Sequence, residues 1–143
     1  MLNNIYASEM TYGETYANAQ YQVTTPDGWI AFKIGEPNQH LYQLLDANGV
    51  DMAALITAWN PLGKMSDIEA NRQANHSLEL NIQKMGLPYY LGSGSDPKGA
   101  WKEDSYFVMG IDPTQAKQLG DAYLQNAIVW INRCDAPSLI WLR

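Results

Sequence analysis

Met52-Ala53-Ala54-Leu55-Ile56-Thr57-Ala58-Trp59 runs into Asn60-Pro61-Leu62-Gly63 and then into Ser66-Asp67-Ile68-Glu69-Ala70-Asn71-Arg72-Gln73-Ala74-Asn75. The first stretch is apolar without alternation, as a strand covered on both faces must be. It stops abruptly at Trp59-Asn60-Pro61, and a helix with a polar start follows. α/β proteins commonly build a pocket this way, with a loop and a helix N-terminus facing the opening beyond a buried strand. The expected site therefore lies at the carboxyl end of the 52–59 strand.

Ser66-Asp67-Ile68-Glu69 has the form of a capping box, with the Ser66 hydroxyl serving the backbone of Glu69 and the Glu69 carboxylate reaching back. From Ile68 the inner stripe of the helix continues through Asn71 or Arg72, Asn75, Leu78, Ile82 and Met85, and Gly86 ends it. Its second half is apolar, as a packing helix requires. Its first half puts amides and a guanidinium where the stripe should be dry, so something polar must face them.

Toward the N-terminus, Asn38 caps a helix that buries Leu41, Leu44 and Leu45 and stops at Asn48-Gly49. Before it, Tyr21 to Thr25 and Trp29 to Ile34 flank Pro26-Asp27-Gly28 as a hairpin. A short helix over Glu14 to Ala19 precedes the hairpin, and residues 1–13 lack periodicity and form an arm or a frayed helix. Toward the C-terminus, Pro88 to Leu91 is a short strand and Gly92 to Gly99 a turn-rich, mobile loop. Glu103 to Ile111 alternates as a strand, wet at Glu103 and Ser105 and dry at Phe107, Met109 and Ile111. Asp112-Pro113-Thr114-Gln115 starts a helix that runs to about Ala122. Ala127 to Ile131 and Leu139 to Leu142 are two further strands. The sum is an α/β fold, α+β mixed, in which residues 14–143 form a single domain: a mixed β-sheet with about three helices packed on it.

Composition narrows the function classes. The 143 residues are 46% hydrophobic and 17% charged, which suits a globular domain with a core of its own. A net charge of −6, with nine basic residues scattered singly, excludes binding nucleic acid through its phosphates. Cys134 is the single cysteine, so no internal disulfide forms and a reducing compartment is expected. The start of the chain has no basic and apolar leader and no segment approaches a membrane span, so a bacterial, cytoplasmic protein with no membrane partner is expected.

Glu103 and Ser105 share one side of their strand. The carboxylate is either a general base or anchor for a hydroxylated ligand, or half of a salt bridge to Arg72 or Lys98. Asn71, Arg72 and Asn75 lie within one turn near a helix N-terminus, which favours an anion. Alternatively the two amides satisfy loop carbonyls around Trp59 to Leu62 while Arg72 packs outward. Thr57, Trp59 and Asn60 close the apolar strand, and the indole either stacks on a ring or caps the core. Gly92-Ser93-Gly94-Ser95-Asp96 has the backbone donors of a phosphate cradle without the ending of a P-loop. His40 and His76 lie apart on polar helices, so neither a metal nor any other cofactor is indicated.

Several motifs together resemble the domain of unknown function 3293 family. They are Tyr21-Gln22-Val23, Lys33-Ile34-Gly35, Ile56-Thr57-Ala58-Trp59-Asn60-Pro61, Asn71-Arg72, Gly94-Ser95-Asp96-Pro97-Lys98-Gly99-Ala100-Trp101-Lys102-Glu103-Asp104-Ser105 and Gln125-Asn126-Ala127. The resemblance covers nearly the whole chain from Glu14. It implies a small bacterial single-domain protein with no assigned activity. Asp104 stands where a second glutamate is expected. The resemblance also groups Thr57, Trp59 and Asn60 with Trp101, Glu103 and Ser105 as one feature.

The functional expectation is a pocket for a small polar or anionic metabolite, nucleotide-like or phosphorylated. Thr57, Trp59, Asn60, Asn71, Arg72, Asn75, Asp96, Trp101 and Ser105 would bind, and Glu103 would accept hydrogen bonds or act as a base. The alternative is a non-catalytic interaction module whose polar cluster is structural and whose aromatic surface, Tyr89, Tyr90 and Trp101, meets a protein.

Overall fold

The structure, a computed structural model, describes residues 6–143. Their order is α1 (Ala7–Ala17), β1 (Gln20–Thr25), β2 (Gly28–Phe32), α2 (Gln39–Ala47), β3 (Met52–Ile56), α3 (Ile68–Met85), β4 (Tyr89–Ser95), β5 (Lys102–Met109), α4 (Pro113–Ala122), β6 (Ala127–Asn132) and β7 (Ser138–Trp141), with a short 3-10 turn at Pro61–Gly63. The strands form one sheet in the order β2-β1-β4-β5-β3-β6-β7. The α/β class and the single sheet with helices packed on it hold. Strand direction is more uniform than a mixed sheet, because every ladder among the described residues is antiparallel. Three hairpins, β1–β2, β4–β5 and β6–β7, lay down neighbouring pairs, and β3 inserts between β5 and β6.

β3 is the interior strand that its unbroken apolar run requires. Ala53 and Leu55 face one core with Tyr21, Val23, Phe107, Met109 and Val129, covered by Leu41 and Leu45 of α2. Ala54 and Ile56 face the other, with Tyr106, Val108 and Ile128 under Leu78 and Ile82 of α3 and Leu119 of α4. Each fully buried leucine of α2 contributes about 2 kcal/mol of transfer free energy, so that helix is held by its stripe as well as by its Asn38 cap.

Three local readings change. The first helix begins at Ala7 rather than Glu14, so of the arm or frayed helix expected before it the helical alternative holds from Ala7 to Gly13; residues 1–5 of that expectation lie outside the described residues. This α1 makes the helices four among the described residues. Its aromatic side packs on the sheet, with Tyr16 stacked between Tyr12 and Trp141. The cap of α3 is Asp67, one residue later than expected, and its carboxylate accepts from Glu69 N–H at 3.3 Å. Ser66 instead donates its backbone N–H to Asn60 Oδ1 at 3.0 Å.

The stretch Gly92–Ser95 is strand rather than mobile loop. Ser93 pairs with Gln22 on one side and Asp104 on the other, which commits the backbone that a phosphate cradle would need. Glycine is required here by proximity. A Cβ at Gly92 would lie 2.7 Å from both the Gln22 carbonyl oxygen and Leu55 Cδ1. No described helix is long and apolar enough to cross a membrane.

Candidate functional site

The chain beyond β3 is irregular and closely held. Asn60 and Leu62 are both left-handed, at φ 47° and 60°, conformations that L residues keep only when their surroundings fix them. Here the amides of α3 do so. Asn75 Oδ1 accepts from Ala58 N–H at 2.8 Å while its Nδ2 donates to the Asp104 carbonyl at 2.9 Å. Asn71 Oδ1 accepts from Asn60 N–H at 2.8 Å, and Asn71 Nδ2 donates to Asn60 Oδ1 at 2.9 Å. From the other side the α4–β6 connection docks: Gln125 Nε2 donates to the Trp59 carbonyl at 3.3 Å, and Leu62 N–H to the Leu124 carbonyl at 2.7 Å. The polar half of the α3 stripe thus faces loop backbone.

Two recesses flank this end of the sheet, on opposite faces. On the face shared with α1 and α2 is a cavity of ≈ 50 Å³ lined by Tyr16, Tyr21, Thr57, Trp101, Glu103, Ser105 and Gln125. On the face shared with α3 and α4 is a groove of ≈ 420 Å³ lined by Gln22, Thr24, Trp59, Arg72, Asn75, Leu91, Ser93, Lys102, Asp104 and Tyr106. Strand alternation makes the division: along β5, Glu103 follows the Phe107 face and Asp104 the Tyr106 face. Ser105, at the thin end of the sheet, borders both.

The residues singled out from the sequence therefore fall into four groups, with Ser105 shared by the first two. Thr57, Trp101 and Glu103 line the cavity, and Trp59, Arg72 and Asn75 the groove. Asn60 and Asn71 sit between them and hold the loop. Asp96 lies in neither recess; its carboxylate accepts from Lys98 and Ala100 N–H, both at 3.1 Å, and closes the β4–β5 turn.

Glu103 has no cation within ion-pairing distance among the described residues; the four pairs present involve Arg72, Arg133 and Arg143. Its one side-chain partner is Asn60 Nδ2 at 3.5 Å. Burial pushes its pKa up to about 7, and the Asn60 amide offsets this in part. Burial likewise raises Tyr16 and Tyr21 above the ordinary tyrosine value, so both phenols stay protonated.

Arg72 is exposed and faces Glu69 at 3.9 Å, a contact worth little in water. The acidic cap Asp67 and the neighbouring Glu69 occupy the positive end of α3. Anion-seeking charge at this site therefore resides in the side chains of Arg72 and Lys102, with Asp104 as an opposing charge two residues from Lys102 on the same face of β5. Among the described residues no three His, Cys, Asp or Glu side chains converge to hold a metal ion.

Tyr16, Tyr21 and Gln125 in the cavity, and Gln22, Thr24, Lys102 and Asp104 in the groove, are not singled out by the sequence, in which Ser93 figures only as part of a phosphate cradle. The β1 residues enter because β1 lies beside β4, which no local pattern announces. Gln125 carried one usable signal, an amide wedged between a helix end and an apolar strand.

A family model described as Protein of unknown function (DUF3293) matches residues 56–128, a span running from the end of β3 into β6. No curated protein and no solved structure matches the chain.

Proposed function

The chain belongs to the DUF3293 family, whose description assigns no activity, and from the geometry we propose that the groove binds a small anionic metabolite, nucleotide-like or phosphorylated. The observation that carries this reading is the meeting of Trp59, Arg72 and Lys102 around ≈ 420 Å³, a volume in the range of metabolite sites. Arg72 offers a bidentate fork to phosphate or carboxylate, Lys102 adds a point charge, and the indole offers a stacking plane. Gln22, Thr24, Ser93 and Asp104 supply hydrogen-bonding groups for the rest of the ligand. Glu103, across the sheet, is not the base of this reading.

The same reading takes the chain as a cytoplasmic bacterial protein; its single cysteine, which can form no internal disulfide, supports the reducing compartment. The interaction-module alternative keeps one observation of its own. The loop amides are spent on backbone, and Trp29 and Leu91 stand 66% and 57% exposed on the groove side of β2 and β4. Its expected aromatic patch does not assemble, because Tyr90 and Trp101 pack against one core and Tyr89 against the other.

A thermal-shift screen of wild type, Arg72→Ala and Lys102→Ala against nucleotides, sugar phosphates and organic acids separates the two. Stabilisation of wild type by one anionic class, lost in both folded variants, supports the metabolite site. No shift from any of them at millimolar concentration rejects it and leaves the interaction reading.

A further inference from the structure

We propose that the cavity on the other face of the sheet is a separate site that takes the ammonium head of a primary amine. Most of the polar groups around it have their protons committed elsewhere; the Tyr16 hydroxyl, which accepts from Asn126 Nδ2 at 3.5 Å, keeps its own for the space. Thr57 Oγ1 donates to the Asp104 carbonyl at 2.6 Å, Ser105 Oγ to the Glu103 carbonyl at 3.3 Å, and the Tyr21 hydroxyl to the Tyr16 carbonyl at 2.8 Å. The side-chain N–H groups of Gln125 are directed at the carbonyls of Trp59 and Tyr123. What these groups turn toward the space is lone pairs, with the Glu103 carboxyl among them. No Lys, Arg or His lines the cavity. A lining in which acceptors predominate, around a carboxyl with no cation partner, calls for an occupant that donates several hydrogen bonds and carries positive charge, which describes –NH3⁺.

Size points the same way. The ≈ 50 Å³ of free space is several times the minimum for one water and far below a metabolite's volume, so a head group enters while its alkyl stem remains at the mouth. The charge balance closes within the site. Below about pH 7 Glu103 enters as a carboxylic acid, its O–H bond breaks on binding, the proton leaves to solvent, and the carboxylate remains paired with –NH3⁺. One proton is released per amine bound below about pH 7, so affinity increases up to that pH and levels off above it. The other titratable groups facing Glu103 are Tyr16 of α1 and Tyr21 of β1, both protonated throughout this range. β3, β4, β6 and β7 present none there.

The test is calorimetry and thermal shift with methylammonium and propylammonium chloride, beside potassium chloride, propanol and sodium propionate, from pH 6 to 8. The expected result is stabilisation by the ammonium salts alone. Apparent affinity should rise about fivefold from pH 6 to 7 and less than about twofold from 7 to 8, with a buffer-dependent heat that reports the released proton. Glu103→Gln should abolish the response. An equal response to potassium or propanol, or an unchanged response in Glu103→Gln, overturns the proposal. Should that variant not fold, the ¹³C shift of the Glu103 carboxyl in wild type decides: a pKa that falls on adding methylammonium supports the site, and an unmoved one rejects it. Because groove and cavity lie on opposite faces, the screen with anions and this one succeed or fail independently.

Discussion

Asn60 and Asn71 hold each other reciprocally: the backbone N–H of Asn60 donates to Asn71 Oδ1, and Asn71 Nδ2 donates to Asn60 Oδ1, at 2.8 and 2.9 Å. Asn71 is 2% exposed, so its removal leaves a buried N–H without an acceptor while Asn60 stays left-handed. We predict that Asn71→Ala lowers unfolding free energy by about 2–4 kcal/mol. Urea unfolding measures it, and a loss below about 1 kcal/mol contradicts the pinning role. Asn71→Asp should recover only part of the loss, since a carboxylate can accept from Asn60 but cannot donate to it.

The buried Glu103 should leave a signature in stability against pH. Its pKa rises from 4.5 unfolded to about 7 folded, so across that interval the folded protein keeps a proton that the unfolded chain has lost. Its contribution is therefore full below about pH 4.5, declines as pH rises toward 7, and is constant beyond; the total change is about 3 kcal/mol. Relative to wild type, Glu103→Gln should gain about that much at pH 8 and almost nothing at pH 4. Denaturation series on both proteins at the two pH values settle the sign.

Gly92 and Gly35 provide a contrast between space and conformation. Gly92→Ala places a methyl 2.7 Å from the Gln22 carbonyl oxygen, in an interior strand that cannot retreat, and should cost about 2–4 kcal/mol. Gly35→Ala meets nothing within 4 Å but sits at φ +81°, so only backbone strain of about 1 kcal/mol is expected. Comparable melting temperatures for the two would contradict this account.

Arg72→Ala should leave stability within about 0.5 kcal/mol of wild type, because its pair with Glu69 is long and solvated. If the groove takes an anion, the same change weakens binding by one to two orders of magnitude, as expected when a charged hydrogen bond is lost. Binding should also weaken with added salt, as an exposed cation's contribution must. Titrations at low and high ionic strength test both points.

Legibility followed the range of the interactions. The Asn38 cap, the capping box of Asp112 and Gln115 and the Gly86 stop were readable because each is a contact within a few residues. β3 was readable because burial on both faces leaves an unbroken apolar run. Strand order was not, since β3 pairs with β5 and β6, which follow much later, and nothing in Met52–Ile56 names them. The site suffered from the same gap. Thr57, Trp59, Trp101, Glu103 and Ser105 do gather at one end of the sheet, but which face each takes depends on register. One residue of register separates Glu103 from Asp104 and puts them on opposite sides. The start of α3 was misplaced by one residue because Ser66 and Asp67 are both good caps, and the choice is made by Asn60, which takes the Ser66 N–H.

Strand order also sets a timetable for synthesis. Met52 waits for Asn132, and Ala53 for both Met109 and Ile131, before the middle of the sheet can close. Until the ribosome has delivered most of the chain, its most apolar strand has both edges bare, the condition under which nascent chains associate with one another. Pairing over such separations also slows folding once the chain is free. A late-closing, aggregation-exposed intermediate follows from where β3 sits in the sheet, even though the finished fold buries that strand from Ala53 to Ile56.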